Sequence, residues 1–253
     1  MPKKGQKVQL VVLLQSAWFL KVRWALKHHG VAYKVIGYTP LLGEYWLRWK
    51  TGKWSGRVTT PVLLTPDGAM LDSFDISEWA EDHSEKPGAS KLFPHTKLAD
   101  IKKWNEISEQ ALFYARTQTF ARLEKDKSPV YAMLPSFVKA LGPVKEWFST
   151  WFISTFIAKY KDISDTASFE KTKAGFLELR KTLKANNDYV LGEFSYADIT
   201  MAVALQAIEP VGPPISKMSE EKRAEFCNKA LKTEFTDLLA WRDQLYKKHW
   251  PQA

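Results

Sequence analysis

The stretch Val8-Gln9-Leu10-Val11-Val12-Leu13-Leu14, followed after Gln15 by Ser16-Ala17-Trp18-Phe19-Leu20-Lys21-Val22-Arg23-Trp24-Ala25-Leu26-Lys27-His28-His29-Gly30, decides the fold. Val8 to Leu14 is β-rich and nearly continuously apolar, the pattern of a strand covered on both faces. From Ser16 the period changes to helical. Phe19, Val22 and Leu26, with Trp18 and Ala25, line one side, while Lys21, Arg23 and Lys27 fall elsewhere. Gly30 stops the helix after His28 and His29 in its last turn. Ala32 to Tyr38 reads as a second strand, so the unit is strand-helix-strand, whose crossover is right-handed and whose strands are parallel.

Outward from this unit, Leu41, Leu42, Tyr45, Trp46 and Trp49 recur at helical spacing, with Gly43 and Gly52 keeping the segment short. Val62–Leu64 and Ala69–Leu71 are short strands joined by Thr65-Pro66-Asp67-Gly68, a tight-turn sequence that makes them an antiparallel hairpin. Ser73 opens another helix, expected to about Glu85, and Lys86-Pro87-Gly88-Ala89-Ser90 reads as a linker. Beyond it no strand pattern returns. Helices are expected over Lys97–Lys125, Val130–Tyr160, Phe169–Ala185, Ala197–Ile208 and Glu234–Lys248, with breaks at Ser128-Pro129, Gly142-Pro143 and Glu209-Pro210 through Pro213-Pro214. The expected division is a small α/β domain over residues 1–86, a linker over 87–96 and an all-helical domain over 97–253.

The 253 residues and 29.1 kDa suffice for a sizeable core. One cysteine, Cys227, rules out an internal disulfide framework, a Cys-x-x-Cys redox site and a multi-cysteine zinc site. The five histidines show no ligand spacing, so no metal is expected. Thirty-seven basic against 28 acidic residues leave a net charge of +9, scattered without like-charge blocks, as on a solvated surface. Nucleic-acid binding has that charge in its favour and no motif. The aromatic stretch Trp147 to Ala158 is interrupted by Ser149, Thr150, Ser154 and Thr155 and falls short of the roughly 18 apolar residues of a membrane span. A soluble, cytoplasmic protein is expected.

Ser16-Ala17-Trp18-Phe19-Leu20-Lys21-Val22-Arg23-Trp24-Ala25-Leu26 resembles the start of the first helix in serine- and cysteine-type cytosolic glutathione transferases, with Ala17 where that family usually has proline. Thr60-Pro61-Val62-Leu63-Leu64 is similar to the family's cis-proline strand. Asp72-Ser73 stands where Glu/Gln-Ser is usual, and Ser195-Tyr196-Ala197-Asp198-Ile199 resembles its capping box. These four motifs occur in the family's order across both parts of the chain.

The resemblance implies a thioredoxin-like domain of order β-α-β-α-β-β-α followed by an all-helical domain, glutathione as co-substrate, a homodimer, and a glutathione transferase of the serine type. Ser16 would stabilise the glutathione thiolate by a hydrogen bond at a helix N-terminus; the same position also suits a plain N-cap serine. Thr60 would pair its backbone with glutathione beside a cis Pro61, which otherwise reads as a proline at a strand's start. Ser73 and its N–H would hold the γ-glutamyl carboxylate and Asp72 would approach the ammonium; alternatively the two are an N-cap serine preceded by an acid. Lys53 and Arg57 are candidates for the glycyl carboxylate. Ser195 and Asp198 are structural. The hydrophobic second substrate would lie between the domains, near Trp18 or Phe19 and Trp104, Phe113, Tyr114 and Phe120, most of which belong to packing stripes. The alternative reading is a related binding or scaffold protein without turnover.

Overall fold

The computed structural model describes residues 8–40, 43–126, 144–164 and 168–251. Strand β1 (Gln9–Val12) leads into helix α1 (Ala17–His28), strand β2 (Lys34–Gly37) and helix α2 (Glu44–Thr51). The hairpin β3 (Val62–Thr65) and β4 (Gly68–Met70) precedes helix α3 (Ser73–Asp82). The sheet order is β2-β1-β3-β4, with β1 parallel to β2 and antiparallel to β3, and β3 antiparallel to β4. This is a thioredoxin-like half. Helix α3 ends at Asp82, before the expected Glu85.

The chemistry of α1's end fixes the crossover. Gly30 adopts φ 69°, the Gly30 N–H donates to the Lys27 carbonyl and the Val31 N–H to that of Leu26, a Schellman closure with buried Leu26 and Val31. A side chain at Gly30 would also meet the Lys86 Cβ at 3.1 Å. The His29 carbonyl accepts from the N–H groups of Glu85 and Lys86, which ties the segment after α3 back to α1.

Helical structure follows. Among the described residues the helices that follow are α4 (Leu98–Lys125), α5 (Val144–Ser164), α6 (Phe169–Ala185), α7 (Tyr196–Ala204), α8 (Glu220–Glu225), α9 (Lys229–Glu234) and α10 (Thr236–His249). The helix expected over Val130–Tyr160 is described from Val144 onward, and its earlier part and the Gly142-Pro143 break lie outside the described residues. The expected Ala197–Ile208 helix is α7 closed by a 3-10 turn over Leu205–Ala207, and α8 and α9 were not anticipated. Every residue of α7 is buried, including Asp198 and Thr200, whose side chains are hydrogen-bonded. It packs against both α4 and α1. One continuous hydrophobic cluster runs from Leu10 through α1, α4 and α7 to Trp250, so both halves share a core. Among the described residues no helix is long and apolar enough to cross a membrane.

Candidate functional site

Ser16 is the N-cap of α1, in extended backbone at φ −74° and ψ 132°, and its side chain makes no capping hydrogen bond. The first helical bond runs from the Leu20 N–H to the Ser16 carbonyl. The N–H groups of Ala17, Trp18 and Phe19 are therefore the first-turn donors of α1, and they concentrate partial positive charge beside the Ser16 hydroxyl. The Thr60–Pro61 peptide is cis, as the resemblance implies, with Pro61 buried and Thr60 half-buried.

At α3 the capping residue is Asp72, and Ser73 is the first helical residue. Asp72 Oδ1 accepts from the Phe74 N–H at 2.7 Å and the Asp75 N–H at 3.3 Å, so this carboxylate oxygen is committed to the helix. Its capping corrects the alternative in which Ser73 was the cap. The Ile76 N–H bonds to the Asp72 carbonyl, which leaves the Ser73 N–H as the first-turn donor outside the cap. Ser73 is buried, and its carbonyl accepts from the Ser77 hydroxyl at 2.7 Å.

Lys53 is exposed in the loop after α2. That loop is shaped by Arg48, whose guanidinium donates to the carbonyls of Lys53 and Gly56 and to Glu44.

The aromatic candidates divide. Trp18 and Phe113 are half-buried and stack with centroids 5.9 Å apart, and the Arg116 guanidinium lies 4.2 Å from the centre of the Trp18 ring. Phe19, Trp104, Tyr114 and Phe120 are instead buried. Tyr114 accepts a hydrogen bond from the Asn228 amide. These four pack within the interior, as most residues of a helical apolar stripe do.

Lys21 is the residue that periodicity misplaced. Set apart from the apolar side of α1, it is in fact 0% exposed. Its ammonium donates to Glu109 Oε1 at 2.7 Å and Asn105 Oδ1 at 3.2 Å. Glu109 Oε2 accepts the Trp18 indole N–H at 2.6 Å, and Asn105 Oδ1 also accepts from Thr200. One polar chain thus joins α1, α4 and α7 beneath the aromatic pair. Burial lowers the Lys21 pKa, opposed by Glu109 and by Asp72. The signal available in the sequence was Asn105 and Glu109, one helical turn apart on an otherwise apolar face.

Ser195 and Asp198 form the expected capping box at the start of α7. The Asp198 carboxylate accepts from the Ser195 N–H, the Ser195 hydroxyl and the Val190 N–H at 2.8–3.0 Å. Burial nevertheless pushes its pKa up to about 6. Among the described residues no group of three or more His, Cys, Asp or Glu side chains is placed to hold a metal.

Residues 15–83 match the family described as glutathione S-transferase, N-terminal domain. The chain has the fold of the cytosolic glutathione transferases. It is similar to glutathione transferase GSTFuA2 from Phanerochaete chrysosporium at TM-score 0.62 and 17% identity, over 97% of this chain and 99% of that one. The β-etherase LigF from Sphingobium aligns at TM-score 0.61 and 17% identity, over 95% of each chain. A Methylobacillus flagellatus glutathione S-transferase, solved with glutathione bound, aligns at TM-score 0.56 and 16% identity, over 95% of each chain. No curated protein sequence matches the chain.

Proposed function

We propose that this glutathione-transferase fold is a working transferase of the serine type. The observation that carries the reading is the Ser16 hydroxyl: it stands at the N-terminus of α1, uncommitted to capping, within a segment that matches the glutathione S-transferase N-terminal domain. A thiol placed there ionises more readily, because its anion meets the hydroxyl donor and the positive end of the helix. Lowering a thiol pKa of ~8.5 by about two units corresponds to roughly 2.7 kcal/mol and leaves mostly thiolate at neutral pH.

In this reading glutathione lies along cis-Pro61, with Thr60 pairing its backbone and the Ser73 N–H receiving the γ-glutamyl carboxylate. Asp72 reaches the ammonium with the carboxylate oxygen that is not capping α3, and Lys53 faces the glycyl end. The electrophile rests against Trp18 and Phe113. The sulfur lone pair forms a bond to its electrophilic carbon while the leaving group departs with the electrons of the broken bond. The protein contributes proximity and electrostatic stabilisation of the anion. A homodimer is part of the proposal.

Calorimetric titration with glutathione, combined with the ultraviolet absorbance of the bound thiolate against pH, tests it. Binding with a thiol pKa well below that of free glutathione is expected. Binding without such a shift would reduce the protein to a glutathione-binding module, and no binding would leave only the fold.

A further inference from the structure

We infer that the outer face of α2 and the loop after it form a docking surface for an anionic lipid bilayer. Helix α2 is anchored by Leu47, which is fully buried, so its inner side is accounted for. Its outer side is aromatic where a solvated helix would be polar. Tyr45 and Trp49, one turn apart, are 81% and 64% exposed, and Trp54 in the following loop is 63% exposed. Tyrosine and tryptophan are the side chains that favour the headgroup layer of a bilayer, where an apolar ring and a polar tip are both accommodated.

The exposed charge beside these rings, on Lys50 and Lys53, is basic. From Tyr45 to Pro66 the sequence contains four basic residues and no acid; Lys50 and Lys53 are exposed, whereas Arg48, paired with Glu44, and Arg57 are half-buried. The neighbouring acid, Glu44, is neutralised by Arg48 at 2.7 Å and by Lys159 of α5 at 2.9 Å. The Lys50 ammonium lies 4.5 Å from the centre of the Trp49 ring. The surface therefore offers aromatic insertion and attraction for negative headgroups together.

Charge complementarity selects among occupants. Lysine is depleted from the cores of protein interfaces, which disfavours a second protein seated on Lys50 and Lys53. Side chains this exposed stand out from the surface and so do not form the groove by which single-stranded nucleic acid is tracked. The inference shares Lys53 with the glutathione reading and otherwise rests on residues outside that site.

The experiment is co-sedimentation of the full chain with vesicles of phosphatidylcholine alone and of phosphatidylcholine with about one-third phosphatidylserine. Binding to the anionic vesicles, and its loss when ionic strength rises from about 0.01 M to about 0.15 M, is expected as the screening length falls from about 30 Å to about 8 Å. Lys50→Gln should weaken partitioning roughly fivefold. The combined Tyr45→Ser, Trp49→Ser, Trp54→Ser variant should weaken it at least tenfold while retaining the circular dichroism and urea unfolding midpoint of the parent. No binding, equal binding to both vesicle types, or binding unaffected by Lys50→Gln would overturn the inference. So would a dimer that the triple variant splits in sedimentation velocity, or a single-stranded oligonucleotide displacing the protein from vesicles.

Discussion

Replacing Glu109 by leucine strikes the polar chain under the aromatic pair at its centre. The ammonium of Lys21, with a side chain at 0% exposure against 22% for Glu109, would keep only Asn105 as an acceptor, and the Trp18 indole N–H would lose its partner as well. Breaking a buried pair from one side costs about 3–5 kcal/mol, because a charge is left uncompensated in the interior. Lys21→Met should cost less, about 1–3 kcal/mol, since Glu109 reaches water and still accepts from Trp18. With both replaced, the desolvation of both charges disappears and the loss should shrink to about 2 kcal/mol or below, mostly the orphaned Trp18 N–H. Urea unfolding of the four proteins gives the coupling directly. For a chain of this size the single Glu109→Leu loss corresponds to a fall in melting temperature of roughly 6–20 °C. The defect should also ease as pH rises. Burial already lowers the Lys21 pKa, and removing Glu109 removes the effects that oppose this. The unfolded state then holds more protons below its own lysine pKa, and stability climbs with pH. A Glu109→Leu loss under about 1 kcal/mol, or single losses that simply add in the double variant, would refute the reasoning.

Ser16→Ala should leave the melting temperature within about 1–2 °C, raise the pKa of bound glutathione thiol by about 1–2 units and lower turnover near pH 6.5 by roughly 10–100-fold, read from thiolate absorbance and initial rates; unchanged turnover would remove Ser16 from the chemistry. Asp198, pushed up to about 6 by burial, binds its proton more tightly folded than unfolded, so its contribution is fully present below about pH 4 and lost as pH rises through 6. Denaturant midpoints at pH 4 and 7 should show the gap between the parent and Asp198→Asn widening by up to about 3 kcal/mol on acidification. His29 has the opposite sign: burial and neighbouring His28 and Lys86 lower it to about 4, so its stabilising contribution is present above pH 6.5 and lost on acidification towards 4. A His29→Phe variant should therefore show a shallower acid loss than the parent, and parallel pH curves would exclude His29 as a contributor.

Much of the architecture was legible in local chemistry. The apolar run before Ser16, the glycine stop at Gly30, the Thr65–Gly68 turn and the Ser195–Asp198 box each act through neighbours a few residues away, and each has its expected place. The helices α8 and α9 were not legible, being six residues each and too short to show a period.

The candidate site divides along the same line. The sequence by itself determined that a serine opens α1, that a proline opens the β3 strand and that an acid and a serine open α3, because caps and strand starts are local events. Only the tertiary structure decided that Asp72 rather than Ser73 caps α3, that Trp18 pairs with Phe113 while Phe19, Trp104 and Tyr114 are enclosed, and that Lys21 is inside. Helix α1 is packed by α3 on one side and by α7 on another, so it has no wide solvent face. A period of 3.6 residues tells which side chains share a face, but not how many faces the rest of the chain will cover.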